Sequence, residues 1–448
     1  MSYPSRLSRP TALLLGSRHS LALVFGAFAT LATIATIGAV FPATAFAQET
    51  KDAAPGREPV SPAVLALVQP VPELIREKKF TEALAKLKET EAIPGKTPYE
   101  IYVIDRMRGA AAAGAGDIPL AAKSYEAAIA SGKLPPGDSV ATVDMVARLY
   151  FTAKDYTQAA VWSTRLLKEG GETDERRQLS LRAKYFAEDY DGVRLDAAAV
   201  IQRTEQAGQK PTQEILELKA GAEQKMNDQA AYALTLEKLV ATHPKAEYWK
   251  DLIYRVGTKP GFAPALYLNL VRLRYALGLF SKPEEYQELV ERAMNAGFPV
   301  EAKQIIDQGY AKGILGAGSG TVATAQQKLR AKVTKDAADD IKDIKRAEAE
   351  ALKSPDGTAL IGVGFNYVVN GQADKGLPLM EQGIKKGGLK RPEEATLRLG
   401  MAYALAGQKD KAVATLKTVH GKDGSEDLAR LWSLYAVQPI IPPATAKL

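Results

Sequence analysis

From Ser61 onward the apolar residues of this chain recur three and four positions apart, and nowhere do β-branched and polar side chains alternate over a strand's length. The pattern predicts helix after helix and no sheet. Ahead of it, residues 48–72 are polar and proline-rich, a flexible lead-in within which Ser61-Pro62 can open a short first helix. Thr97-Pro98-x-Glu100 and Ser281-x-Pro283-Glu284 each set a hydroxyl near a carboxylate three residues on, and both predict capped helix starts.

The helices repeat. Gly364-x-x-Tyr367-x-x-x-Gly371-Gln372-x-Asp374-Lys375 returns 36 residues on as Gly400-x-x-Tyr403-x-x-x-Gly407-Gln408-x-Asp410-Lys411, with Val363 and Leu399 before the glycines. Gly109, Ala112, Gly116-Asp117, Ala121, Tyr125 and Ala128 fit the same frame. So do Ala147, Tyr150, Lys154-Asp155-Tyr156 and Ala159, and later Ala220, Asn227-Asp228, Leu236, Leu239 and Pro244. Lys154-Asp155-Tyr156 and Glu188-Asp189-Tyr190 match at an offset of 34, and Lys79-Phe80-x-x-Ala83-x-x-x-Leu87 reads as the second half of an initial unit. A period of this length marks helical hairpins that cannot bury their apolar faces alone and therefore stack.

These residues resemble the tetratricopeptide repeat (TPR). The likeness is strongest over residues 399–419 and lapses over 250–315; no copy carries the early Trp, and Ala112 and Glu223 stand where the Tyr is expected. The chemistry of the frame is packing. The small residue (Gly109, Ala147, Ala220, Gly364, Gly400) admits the second helix closely, and the aromatic three residues on fills the groove between helices. Gly or Lys followed by Asp or Asn makes the turn, through tolerance of positive φ.

The resemblance implies an all-α fold, a right-handed α-solenoid of about eight to ten TPR-like hairpins. It also implies a concave groove, lined by the first helix of each pair, that takes a protein or peptide. The partner-binding candidates are then Arg106, Asp144, Arg148, Glu217, Gln224 and Lys225 early, and Ile361, Phe365, Asn366, Leu397 and Met401 late. Such a groove is polar and mixed in charge at first and apolar later. The family's carboxylate clamp, a Lys and an Asn four apart on a first helix, is absent from every copy, so capture of an acidic C-terminal peptide is not expected. The apolar end has an alternative: the neighbouring helix over 326–352, or the extended tail Gln438-Pro-Ile-Ile-Pro-Pro, covers it.

Between the blocks, Gly316-Ala-Gly318-Ser-Gly320 lacks the spacing, the preceding strand and the Lys-Ser/Thr of a phosphate loop, and reads as a linker. The charged stretch after it carries Leu329, Val333, Ala337, Ile341 and Ile344 along one side, a narrow stripe on a long bridging helix. Its Asp339-Asp340 and Asp343, interleaved with Lys335, Lys342, Lys345 and Arg346, read as a solvated face and not a metal site. The domain reading is thus 1–47 leader, 48–72 lead-in, 73–315 N-terminal repeats, 316–356 linker and bridging helix, and 357–448 C-terminal pair with tail.

The leader changes the charge and the address. Arg6, Arg9 and Arg18 precede an apolar run from Leu21 to Phe41, then Pro42 and Ala45-Phe46-Ala47. That is the form of a secretory signal peptide cleaved after Ala47, with an uncleaved anchor as the rival reading, and it implies a periplasmic product. Its loss takes the net charge from +7 to +4, 56 basic against 52 acidic residues, too weak and too dispersed for nucleic acid.

Composition narrows the chemistry further. With no cysteine and three histidines, one of them in the leader, thiolate metal sites, disulfides and most nucleophile–histidine arrangements are excluded or unsupported. No metal or cofactor is expected, and no catalytic residue is assigned. The expected function is a non-enzymatic interaction scaffold of the cell envelope. A glycan- or small-ligand-binding superhelix is the alternative, and a glycan-acting enzyme using two acids stands third.

Overall fold

A computed structural model describes residues 58–438 apart from Gly318. The leader with its Ala47 site, the lead-in through residue 57 and the tail beyond Gln438 lie outside the described residues. Among those described every element is helical, and no helix is long and apolar enough to cross a membrane. The chain divides into two compact units, Met1–Tyr232 and Ala233–Leu448.

In the first unit α1 (Pro62–Val68), α2 (Val71–Arg76) and α3 (Phe80–Glu89) precede a series of TPR-like pairs. These are α4 (Pro98–Ala115) with α5 (Ile118–Ala130), α6 (Ser139–Thr152) with α7 (Tyr156–Gly170), and α8 (Asp174–Phe186) with α9 (Tyr190–Gln206). Next come α10 (Gln213–Lys225) and the start of α11 (Gln229–Thr242). The small-residue rule acts as the sequence predicts: a Cβ on Gly109 would lie 2.8 Å from the Tyr125 ring. Thr97 and Glu100 form the expected box, with Glu100 N–H donating to Thr97 Oγ1 at 3.2 Å and Thr97 N–H to Glu100 Oε2 at 2.7 Å.

The turns work differently from the expectation in one respect. Positive φ falls on the residue before the acid: Gly116 (81°), Lys154 (62°), Glu188 (63°) and Asn227 (59°). The acid that follows is a cap, not a turn residue. Asp117, Asp155, Asp189 and Asp228 each accept the backbone N–H three residues on, at 3.0 to 3.2 Å.

The second unit holds α12 (Ala246–Thr258), a short 3-10 turn over Pro264–Leu266, α13 (Tyr267–Ala276), α14 (Pro283–Asn295) and α15 (Pro299–Ala311). The long α16 (Thr321–Lys353) leads to α17 (Thr358–Val369), α18 (Ala373–Lys386), α19 (Pro392–Leu405), α20 (Lys409–Leu416) and α21 (Ser425–Val437). A Cβ on Gly376 would meet the Gly364 carbonyl oxygen at 2.3 Å, and one on Gly400 would meet Leu416 Cγ at 2.5 Å, so both hairpins need their glycines. The α14 cap is shifted by one residue from the expected box. Glu285, not Glu284, accepts from Ser281 N–H (2.8 Å) and Lys282 N–H (3.0 Å), because Lys282 is the N-cap and Glu285 the third helical residue.

The bridging helix α16 packs on α15 and α17. Its buried stripe is Ala323, Gln326, Val333, Ala337, Ile344 and Ala351; Ile341, expected within it, is 54% exposed. At 3.6 residues per turn, 340 and 341 flank the 337–344 line on opposite sides. The side facing α17 belongs to Asp340, which accepts from Asn366 Nδ2 at 3.0 Å and whose carboxyl burial pushes above its usual range.

The last helix closes the second unit on itself. Trp432 of α21 is fully buried and its Nε1–H donates to the Asn269 carbonyl at 3.3 Å. Ala263 N–H donates to the Asp423 carbonyl (2.8 Å), Lys259 pairs with Asp427 (2.7 Å), and Gln438 Nε2 donates to the Val240 carbonyl (2.9 Å). Burying a side chain such as Trp432 stabilises by about 1.5–3 kcal/mol or more, enough to hold this return.

Candidate functional site

A single device recurs along the first helices. An Arg partway along one first helix reaches an acid at the start of the next. Arg106 of α4 approaches Asp138, the N-cap of α6, at 3.9 Å; Arg148 of α6 donates to Glu175 in the first turn of α8 at 2.8 Å; Arg182 of α8 donates to Glu214 in the first turn of α10. The acid is favoured there twice, by the Arg and by the unpaired N–H groups of the helix end. Arg148 also takes Asp144 at 2.9 Å, and Gln213 Nε2 donates to Glu217 at 2.7 Å. The result is a mixed-charge strip across α4, α6, α8 and α10.

The sequence candidates of the first unit fall along this strip at different depths. Asp144 and Arg148 are half-buried, Gln224 is half-buried and Lys225 exposed at the end of α10. Arg106 and Glu217 are buried, the former donating to Tyr102 Oη at 3.2 Å, so they tie helices together more than they face outward.

In the second unit the same device is internal. Arg272 of α13 makes a two-point contact with Glu301 in the first turn of α15, Nε to Oε1 at 2.8 Å and Nη2 to Oε2 at 2.6 Å, while Nη1 donates to Asn269 Oδ1 at 2.9 Å. The guanidinium lies between the rings of Phe298 and Phe365, 4.7 Å from each centroid. The five later groove candidates are all buried in this unit. Phe365, Leu397 and Met401 are fully buried and Ile361 nearly so; Arg272 and Phe298 lie against the Phe365 ring, and Asn366 is held by Asp340 of α16. Of the two coverings foreseen, the helix reaches Asn366 through Asp340, and the tail lies outside the described residues.

What remains open there is a cavity of about 220 Å³ bordered by Thr358, Ile361, Lys390, Arg391, Glu394 and Arg398. Glu394 pairs with both Arg391 (2.8 Å) and Arg398 (2.7 Å), and burial pulls the Arg398 guanidinium below its usual value. Arg272, Glu301 and Trp432 were absent from the sequence candidates. Arg272 and Glu301 stand where the repeat frame lapses and Trp432 beyond its last copy, and only the Arg-then-first-turn-acid spacing, about one repeat long, could have pointed to the first two.

The repeat tyrosines are anchored by acids. Tyr367 Oη donates to Glu348 at 2.7 Å, Tyr150 donates to Glu126 and Tyr403 to Glu381. Burial, then the neighbouring carboxylate, pushes the Tyr367 hydroxyl up to about 12, and the other two also rise. Among the described residues no group of three or more His, Asp or Glu side chains is placed to hold a metal ion.

No family model matches the sequence, and no curated protein is similar enough to match it. Among solved structures, a chain of the Naa15/Naa10 complex bound to HypK-THB aligns with 79% of this chain at 14% identity and a TM-score of 0.30. This chain spans 62% of that one, less than two thirds of its length. A chain of the APC/C hetero-tetramer Cut9-Hcn1 aligns with 82% of this chain and 83% of its own length, at 11% identity and a TM-score of 0.19. Similarity this loose carries no argument about partner or activity, and the fold rests on the helices and contacts described above.

Proposed function

We propose that this protein is an interaction scaffold of the cell envelope, exported by its leader, cleaved after Ala47 and held in the periplasm. There it binds a protein or peptide along the first helices of its N-terminal unit. The observation that carries the reading is the Arg–acid strip across α4, α6, α8 and α10. Its side chains are already paired and ordered, and Arg148 (35% exposed) and Glu175 (74% exposed) present both charges to solvent. A partner with alternating charge can exchange these pairs with little new ordering, which favours specificity over raw affinity.

Photoreactive residues in place of Arg148 and Glu175, with Val161 of the second helix α7 as control, test this in intact cells. Capture of one and the same protein from both strip positions and not from Val161 supports the scaffold. Capture from all three, or from none, sinks it. Export is tested separately by the mass of the mature chain, which begins at Gln48 if the leader is cut as proposed.

One observation favours a glycan-binding alternative. Phe151, Tyr156, Tyr185, Phe186 and Tyr190 form a run of ring contacts at 4.9 to 6.1 Å around two successive turns, with Phe186 37% exposed. Such faces can stack on sugars. Retention on immobilised envelope polysaccharide that Phe186→Ala abolishes would move this reading ahead.

A further inference from the structure

From the end of α18 into α19 the chain reads Lys385-Lys386-Gly387-Gly388-Leu389-Lys390-Arg391, a strongly basic run broken by two glycines. Both glycines take positive φ, 74° and 67°, which turns the chain back across the start of α17. The turn is pinned there. Gly357 N–H donates to the Gly387 carbonyl at 2.9 Å, and Lys386 Nζ donates to the Leu352 carbonyl at 3.1 Å. A Cβ on Gly388 would lie 2.9 Å from Asp356 Cβ, so the approach is close. This fixed turn brings Leu389, Lys390 and Arg391 to the wall of the 220 Å³ cavity, whose remaining wall comes from the first turns of α17 and α19.

The wall carries three cations, Lys390, Arg391 and Arg398, against one acid, Glu394, and is therefore two charges positive. Glu394 is shared, its Oε2 taking Arg391 and its Oε1 taking Arg398. The other acids nearby are engaged elsewhere. Glu393, in the same first turn, accepts His420 N–H at 2.8 Å, and Asp356 accepts Thr358 N–H at 2.8 Å; neither lines the cavity. Glu301 is matched by Arg272. Lys390 makes no hydrogen bond or ion pair among the described residues and acts on Asp356 only through space. All three cations are open to a solute: the Arg391 and Arg398 side chains are 63% and 22% exposed, and Lys390 is exposed. Ile361 and Ala395, both buried, and the half-buried Leu389 keep the rest of the wall apolar, so charges meet here with less screening than on an open surface.

Lysine and arginine side chains only donate, so the ligand must accept. Glu394 already supplies one carboxylate and leaves two positive charges over. A tetrahedral oxyanion with two negative charges cancels them and offers enough oxygens for three cations. We infer that this cavity binds a dianionic phosphoryl group, met by Lys390, Arg391 and Arg398, with any stem it carries lying on Ile361, Leu389 and Ala395. The group belongs either to free inorganic phosphate or to a small phosphate monoester. The site is in the second unit, and the inference does not rest on the α4–α6–α8–α10 strip.

The test titrates the full chain, near neutral pH and at fixed ionic strength, with inorganic phosphate, propyl phosphate, the singly charged diester dimethyl phosphate, and butyrate. Binding is followed by calorimetry. Either inorganic phosphate or propyl phosphate should bind at about millimolar or below, and dimethyl phosphate and butyrate at least about tenfold more weakly. Lys390→Gln and Arg391→Gln should each weaken the dianion about tenfold. Lys385→Gln, in the same basic run but outside the wall, should leave affinity unchanged. Lys390→Gln should not move the melting temperature, since the lysine has no ion pair among the described residues to lose. Tighter binding of propyl phosphate assigns the site to a monoester, and equal or tighter binding of inorganic phosphate to the free ion. Overturning results are no binding of either dianion in the millimolar range, equal binding of dimethyl phosphate or butyrate, affinity untouched by Lys390→Gln or by Arg391→Gln, or a Lys385→Gln loss as large as theirs, which would mean a diffuse basic surface and no site.

Discussion

Arg148–Glu175 and Arg272–Glu301 are the same pair in two environments. Each joins a first helix to the first turn of the next, yet Arg148 and Glu175 are 35% and 74% exposed while Arg272 and Glu301 are 3% and 11% exposed. The difference comes from what surrounds them. In the first unit Arg148 and Glu175 face water; in the second, Phe298 and Phe365 enclose the guanidinium, and α21 packs back on α13. A repeat rule therefore fixes how neighbouring hairpins dock, and residues outside the rule decide whether the face they share is a surface or a core.

The largest effect should separate the two pairs. Arg272→Ala strands the Glu301 carboxylate in the interior and should destabilise the second unit by about 3–5 kcal/mol, whereas Arg272→Met, which fills the slot between the rings, should cost less. The tryptophans report the units separately, Trp162 in the first and Trp249 with Trp432 in the second. Urea unfolding read at those sites checks the expectation; an Arg272→Ala cost no larger than that of Arg148→Ala would show that the buried pair is solvated after all.

Next in size is the hairpin contact. Gly400→Leu places a branched side chain where Leu416 Cγ would already lie 2.5 Å from a Cβ, and should cost the second unit about 1–3 kcal/mol. A thermal melt followed through Trp432 measures it, and unchanged melting contradicts the repeat frame at that hairpin. The turns give a smaller effect of opposite sign. The second unit uses Gly371 (77°) and Gly407 (74°) where the first forces Lys154 (62°) and Glu188 (63°) into the left-handed region. Lys154→Gly should relieve strain and stabilise the first unit by about 1 kcal/mol, read through Trp162; destabilisation would mean that the lysine side chain is itself a needed contact.

How far the sequence reaches follows from which interactions are local. The Gly109–Tyr125 and Gly400–Leu416 contacts, the Asp caps and the Thr97–Glu100 box span a few residues to one hairpin, and the pattern exposes them. Errors of one residue, Glu284 for Glu285 and Ile341 for Asp340, arise where helical phase alone must choose between adjacent positions and a partner elsewhere settles it. The interior of the second unit was not legible. Phe365 reads as a groove residue from its place on a first helix, and is core where Arg272 and Phe298 pack against it. The return of α21 joins Trp432 to Asn269 across 163 positions, in segments with no repeat signal.

The smallest expected effect is also the sharpest test of the proposed binding face. Arg148→Ala removes a half-exposed guanidinium from Asp144 and Glu175, and exposed pairs of this kind contribute only about 0.2–1 kcal/mol. The first unit should therefore melt almost unchanged, and what little is lost should shrink further as salt is raised, because exposed charges are screened within about 8–10 Å at moderate ionic strength. Binding should respond differently. If the strip receives the partner, Arg148→Ala slows association and flattens its salt dependence while stability stays put, since a rim charge acts mainly on the encounter. A substitution that instead lowers stability by several kcal/mol would place Arg148 in the same class as Arg272, and the first unit would then have a core where an open charged face is described.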